Sequence, residues 1–281
     1  MNIKYLSLSI LVFILVTATF CQQPGNDKIT VPLSDPTRPA FLKVGILSGS
    51  IIIKGYSGKE VLVEARTGES DEDGDYEHDK DDKKRGLRRI PNISTGLTVE
   101  EEDNEVTVST GAMNSGRKND LYIQVPTSCS MKLSTLNDGD IKVENVTGDI
   151  EVSNLNGEVT LENISGSAVV DALNDDITVV FASVDTKKSM SFSSMNGDID
   201  VTLPADTKAM MRLKNDMGEI YSDFEIKMDY SAPKVEDYPK DKRGKRKISM
   251  EKMMNGTING GGGADMLLKN FNGDIFIRKG K

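Results

Sequence analysis

Residues Gly139 to Ser183 read GDIKVENVT, GDIEVSNLN, GEVTLENIS, GSAVVDALN and DDITVVFAS, one nine-residue unit written five times. The third and fifth positions are apolar throughout: Ile141 and Val143, Ile150 and Val152, Val159 and Leu161, Ala168 and Val170, Ile177 and Val179. Alternation by two places both on one face of a short strand. The eighth position is apolar as well (Val146, Leu155, Ile164, Leu173, Ala182), yet three residues after the fifth it would point outward on a straight strand. The pattern therefore predicts a bend inside each unit, with Gly at the first position and Asn145, Asn154 and Asn163 at the seventh supplying tolerance for positive φ.

Two architectures use such units: an antiparallel meander, for which Asn156-Gly157 is a fair hairpin signal, or a parallel solenoid. Identical units favour the solenoid, because stacking places like residues over like and buries one continuous apolar column. The Gly-acid-Ile core recurs at NGDIDV (Asn196 to Val201), MGEIYS (Met217 to Ser222) and NGDIFI (Asn272 to Ile277), with a looser copy, LSGSIIIKGYSG, at Leu47 to Gly58. Gly139 to Gly157 is 18 residues, Asp175 to Gly197 is 22 and Gly197 to Gly218 is 21. The expected fold is thus all-β: a parallel β-solenoid (β-helix) with about 20 residues per coil and two main strands in each. Eight to ten coils would form a rod about 40–50 Å long. The C-terminal FIRKGK reads as charge after the last strand, blunting the end of the rod against edge pairing.

The domain reading is a signal peptide at 1–21, an N-terminal linker at 22–39 and one repeat domain at 40–281. MNIK and the apolar YLSLSILVFILVTATF precede the polar QQPGND, which predicts export with cleavage after Cys21. The rival reading acylates Cys21 as a lipoprotein, against which the bulky Phe20 stands. The expected address is exported: periplasm, outer membrane surface or extracellular. Only Cys129 then remains for certain in the mature chain, so no internal disulfide is expected, and TSCSM carries no nucleophile motif.

Two charged insertions interrupt the repeats, near 69–89 (ESDEDGDYEHDKDDKKRGLRR) and 231–247 (SAPKVEDYPKDKRGKRK). Both read as surface loops able to carry binding. An EF-hand counted from Glu69 fails at its twelfth position, Lys80, where a bidentate Glu is required. The nine-residue calcium roll fails too, since Asp140 and Asp149 directly precede Ile and no unit has more than one glycine. The acids at the strand starts read as solubilising groups. No metal, cofactor or catalytic residue is expected. Trp is absent, aromatics are sparse, and the single histidine, His78, lies among charges. Asn255 to Asp265 (NGTINGGGGAD) lacks the Lys-Ser/Thr and the helix of a phosphate loop and reads as a packing turn. The sequons at Asn92, Asn145, Asn163 and Asn255 read as by-products of turns. A net charge of −9 on the whole chain, −10 once Lys4 leaves with the leader, opposes nucleic-acid binding.

The recurrent V-x-G-D-I-x-V and N-G-D-I units, the ending TINGGGGADMLLKNFNGDIFIRK and the export signal resemble the bacterial β-strand repeat families of DUF4097 type, which carry the name adhesin. The resemblance runs from about Ala40 to Lys281. It implies a parallel β-solenoid in a bacterial cell envelope and brings no catalytic residues with it. The expected function is an exported noncatalytic interaction module, in adhesion or envelope assembly, whose partner is an envelope or surface protein or glycan. It would touch a membrane only through a lipid on Cys21. The alternative is a carbohydrate-active β-helix enzyme, which needs a cleft of convergent carboxylates.

Overall fold

A computed structural model describes residues 26–67, 96–110, 118–229, 235–238, 247–250 and 253–280. Residues 1–25, with Cys21 and the stretch read as a signal peptide, the 69–89 segment with His78, and most of 231–247 lie outside these residues. Among the described residues there are strands but no helix, hence no helix long and apolar enough to cross a membrane.

The first part of the chain forms β1 (Asn26–Pro32), β2 (Ala40–Ser48), β3 (Ile51–Tyr56), β4 (Glu60–Thr67), β5 (Thr98–Glu102), β6 (Glu105–Ser109) and β7 (Asn119–Pro126). The repeat block and its flanks form β8 (Cys129–Asn137), β9 (Ile141–Glu144), β10 (Thr147–Asn156), β11 (Val159–Asn174), β12 (Ile177–Val184), β13 (Met190–Asn196) and β14 (Ile199–Leu203). The remainder supplies β15 (Ala209–Met217), β16 (Ile220–Ser222), β17 (Ile226–Asp229), β18 (Val235–Tyr238), β19 (Lys247–Met250), β20 (Met254–Ile258), β21 (Ala264–Asn272) and β22 (Ile275–Lys279). All but β18 and β19, which pair with each other, belong to one 20-stranded sheet.

Within that sheet the pairings resolve into two parallel ladders. The first runs β6, β2, β8, β10, the second half of β11, β13, β21, β15. The second runs β7, β3, β9, the first half of β11, β12, β14, β22, β16. The chain passes from first to second and back, giving a β-solenoid-like fold rather than a meander. Asn156-Gly157 is accordingly a corner between ladders and not a hairpin turn. Eight parallel layers at about 4.8 Å span roughly 35 Å. In-register partners lie 18 residues apart from Ile141 to Val159 to Ile177, then 22 apart from Ile177 to Ile199.

The third and fifth positions of all five units face the core, with exposures of 2 % or less. Each such Val, Leu or Ile contributes about 1.5–3 kcal/mol of burial. The eighth position divides. In units of the second ladder the chain bends at Asn145 (φ 58°) and Asn163 (φ 53°), turning Val146 and Ile164 inward. In units of the first ladder there is no bend: the strand runs straight, the seventh residue (Asn154, Ala172) faces the core and the eighth (Leu155, Leu173) faces out. The expectation of a bend in every unit is corrected here, because consecutive units occupy different ladders. In the fifth unit, Phe181 takes the core position that Ile164 holds one coil earlier, and Ala182 is exposed.

Sequence order is kept from β8 to β14 and broken at both ends. The coil β2–β3 lies between β8–β9 and β6–β7. At the other end, the last coil of the chain, β21–β22, lies between β13–β14 and β15–β16: Ile199 pairs with Ile275, and Ile275 with Ile220. Gly197 and Gly218 are therefore not one coil apart, since Gly273 sits between them. FIRKGK does not blunt an end either; its Arg278 lies inside the stack, its Nε donating to both carboxylate oxygens of Asp200 at 2.9 and 2.7 Å. Antiparallel strands close the ends: β4 on β7 and β1 on β4, β5 on β6, and β20 on both β15 and β17. Strand β1 falls within 22–39, the stretch read as a linker. Buried Asn104, in the β5–β6 turn at φ 70°, accepts a hydrogen bond from the Asp35 amide at 2.7 Å and donates to the Asp35 carbonyl at 2.6 Å. That exchange ties the β1–β2 connection to this end.

Candidate interaction surface

The corner from first to second ladder is built from three aligned rows. Glycines form the first. A Cβ on Gly157 (φ 131°) would lie 2.3 Å from the Gly139 carbonyl oxygen, and one on Gly139 would lie 1.7 Å from that of Gly49. The coils touch backbone to backbone here, so only glycine fits.

The acids after these glycines form the second row, and they are structural. The Glu158 amide donates to Asp140 Oδ1 at 3.0 Å, Asp198 to Asp176 at 2.7 Å, Asp274 to Asp198 at 2.8 Å and Glu219 to Asp274 at 2.8 Å. Each carboxylate accepts a corner N–H from the neighbouring coil. Reading these acids as solubilising groups is corrected: they satisfy donors that the ladder bends away from. The third row is amide on amide, with Asn174 Nδ2 donating to Asn156 Oδ1 at 2.8 Å and Asn196 Nδ2 to Asn174 Oδ1 at 2.9 Å.

Inside the corner, Asn154 Nδ2 donates to the carbonyls of Gly139 and Gly157 at 3.0 and 2.8 Å. Asn270 and Asn215 occupy the same register position and donate to Gly197 and Gly273. These inward-facing amides, buried at Asn154 and Asn270, hold carbonyls that the glycine turn leaves without strand partners.

Outside the corner, the eighth-position residues of the first ladder form a continuous apolar row. Flanking pairs in the register align Leu47, Leu136, Leu155, Leu173, Met195 and Phe271 on six successive strands. Leu47, Leu136, Met195 and Phe271 are 46–50 % exposed and Leu155 is 38 % exposed. Asp216 of β15, in register with Phe271, ends the row. Two residues earlier on the same strands runs a second outward row: Gly45, Ser134, Ser153, Asp171, Ser193, Lys269 and Lys214. A ridge of large apolar side chains thus borders a shelf of mostly small ones. Monomers rarely show contiguous apolar patches beyond about 300–600 Å², and patches of that size often mark interaction sites. The sequence pattern carried this signal in the eighth position, but a bend in every unit would have hidden it in the core.

The other candidates are placed as follows. Cys129 is buried in β8, and burial pushes its thiol up to about 12, so it is an unreactive packing residue. In the glycine loop, Asn259, Gly260, Gly261 and Gly262 all have positive φ. A Cβ on Gly263 would lie 1.8 Å from the Lys208 carbonyl, so close coil packing is its role. The loop borders an open cleft of about 420 Å³ whose polar lining includes Ser183, Thr186, Asp206 and Lys208. Asp206 is the one carboxylate among the described residues that line it, whereas glycoside chemistry uses two. Among the described residues no group of three or more His, Cys, Asp and Glu gathers as metal ligands do. Asn145 and Asn163 are linked side chain to side chain at 2.6 Å at their corner. Asn92 and His78 lie outside the described residues.

Residues 135–259 match the family model described as Toastrack DUF4097. This shows, over that span, the likeness that the repeats carry from about Ala40 to Lys281. A crystal structure from Clostridium sporogenes ATCC 15579, provisionally named a cell adhesion protein, is 12 % identical, with 92 % of this chain and 100 % of that one covered and a TM-score of 0.44. Another, from Bacteroides fragilis NCTC 9343, provisionally named an adhesin, is also 12 % identical, with 90 % and 96 % covered and a TM-score of 0.34. No curated protein matches the chain.

Proposed function

We propose that the protein is an exported, noncatalytic interaction module of the cell envelope, a β-solenoid of two-strand coils of about 20 residues that binds surface components along the outer face of its first ladder. The apolar row from Leu47 to Phe271 carries this reading. The outward side of a parallel sheet is ordinarily covered, and here six strands in succession present a large apolar side chain to solvent. Contacts spread over many coils suit a partner engaged by repetition rather than by one pocket. The DUF4097 match agrees with a repeat module. A net charge of −9 argues against a nucleic-acid partner.

The test compares capture from fractionated envelopes by the wild-type chain, a Leu136→Asp/Leu155→Asp variant, and chains lacking 69–89 or 231–247. Loss of capture in the Leu variant, with an unchanged urea midpoint, supports the row as the binding surface. Capture retained there but lost on removing an insertion contradicts it. Release of saccharide from envelope glycans by purified protein would overturn the noncatalytic reading.

A further inference from the structure

We infer that the apolar row is a self-association surface, occupied by the same face of a second copy lying side by side with the first. This rests on the interaction reading above and names its partner. Shape and area both fit a second copy. On four of the six strands the residue two places before the ridge is Gly or Ser: Gly45, Ser134, Ser153 and Ser193. Both rows climb the ladder with the same pitch, about 4.8 Å per strand. A two-fold axis parallel to the stacking direction and midway between the rows lays each ridge over the other copy's shelf. Leu47, Leu136, Leu155 and Met195 then meet Gly45, Ser134, Ser153 and Ser193 of the second copy, large against small at every level.

The same operation brings Phe271 over Lys269, where the ammonium can sit against the ring. Between Leu173 and Asp171 it leaves one poorer match, near the middle of the row. The seven strands from β2 to β15 make a face of roughly 30 by 25 Å, on the order of 700 Å². A standard interface buries about 600–1,000 Å² per partner, and this face falls within that range. Such a pairing is isologous and closes at two copies. It also keeps equivalent ends of the two rods together.

Sedimentation equilibrium of the wild-type chain, Leu155→Asp and Ser153→Arg tests this. Both substitutions lie on exposed positions, and each variant's urea midpoint checks its fold. The expected result is a concentration-dependent wild-type dimer whose dissociation constant rises at least tenfold in both variants, the shelf mattering as much as the ridge. A wild-type chain that stays monomeric up to about 1 mM, or a dimer that neither variant weakens, would overturn the inference. A monomer that still loses envelope capture on Leu136→Asp/Leu155→Asp would leave the interaction reading standing, with a different molecule on the face.

Discussion

Between β8 and β14 each coil stacks on its sequence neighbour, whereas at both ends the chain leaves the stack and a later or earlier segment takes the adjacent place. The Glu158 amide reaches Asp140, 18 residues away; the chemically identical bond from Asp274 to Asp198 spans 76. The corner code is local, but it does not encode which copy lies next. Interleaving has a physical consequence. A simple solenoid frays from its terminal coil, because that coil alone is held on one side only. Here β21–β22 is held on both sides, so the last described strands of the chain are interior ones.

The largest effects should come from the glycine row, where the centre and the glycine loop near the C-terminus differ. Gly157→Ala places a Cβ against the Gly139 carbonyl at a φ that alanine avoids. It should cost about 3 kcal/mol or more. Gly262→Ala, with no atom within 4 Å of its Cβ, carries only the positive-φ penalty of about 1–2 kcal/mol. Urea unfolding of the two variants measures the contrast, and equal losses would refute the backbone-to-backbone packing.

The two kinds of seventh position come next. Asn154→Ala should lose about 1–3 kcal/mol by stranding two corner carbonyls, while Asn145→Gly, at an exposed corner of positive φ, should stay within about 0.5 kcal/mol of wild type. Comparable losses would mean that the units are equivalent after all.

Asp198→Ala removes an acceptor that joins two non-sequential coils and should cost about 1 kcal/mol or more. Asp198→Asn keeps an Oδ1 and should recover most of it. If both lose equally, the carboxylate acts through its charge and not as a hydrogen-bond acceptor.

The smallest expected effect is electrostatic and spans three layers of the first ladder. A hydrogen bond from Lys188, with Ser167 adding a second, lowers the Asp149 carboxyl below its ordinary value. A depressed folded-state pKa gives stability that is present above the unfolded value of about 3.9 and is lost as pH falls through the folded one. Lys188 is raised, first by that hydrogen bond and also by the Asp149 charge, so its share persists until strongly alkaline pH. Lys188→Met should lower the urea midpoint at pH 6–8 by only a small amount, because the pair is half exposed, and the difference from wild type should vanish as pH falls below about 4, which flattens the acid limb. An unaltered acid limb would remove the pair from the account.

Much of this was legible in the residues. Apolar third and fifth positions gave the core, glycines gave the corners, and like-on-like spacing gave parallel stacking. Three things were not. Successive units look alike although they alternate between ladders, so Asn154 and Asn145 appear equivalent while one is a buried donor and the other a bend. The corner acids look like surface groups, because only the stacked coil reveals the amide they accept from. Finally, NGDIDV and NGDIFI are nearly the same words. Periodicity can show that they stack, but not that the copy at Asn272 stands directly beside the copy at Asn196.

Native-state hydrogen exchange reads the interleaving of the coils. The amides of Ala264 to Lys279 should exchange as slowly as those of Ile141 to Val152, since both segments are interior to the stack. Rapid exchange of Ala264 to Lys279, at the rate of a frayed chain end while β13 to β16 remain protected, would contradict it.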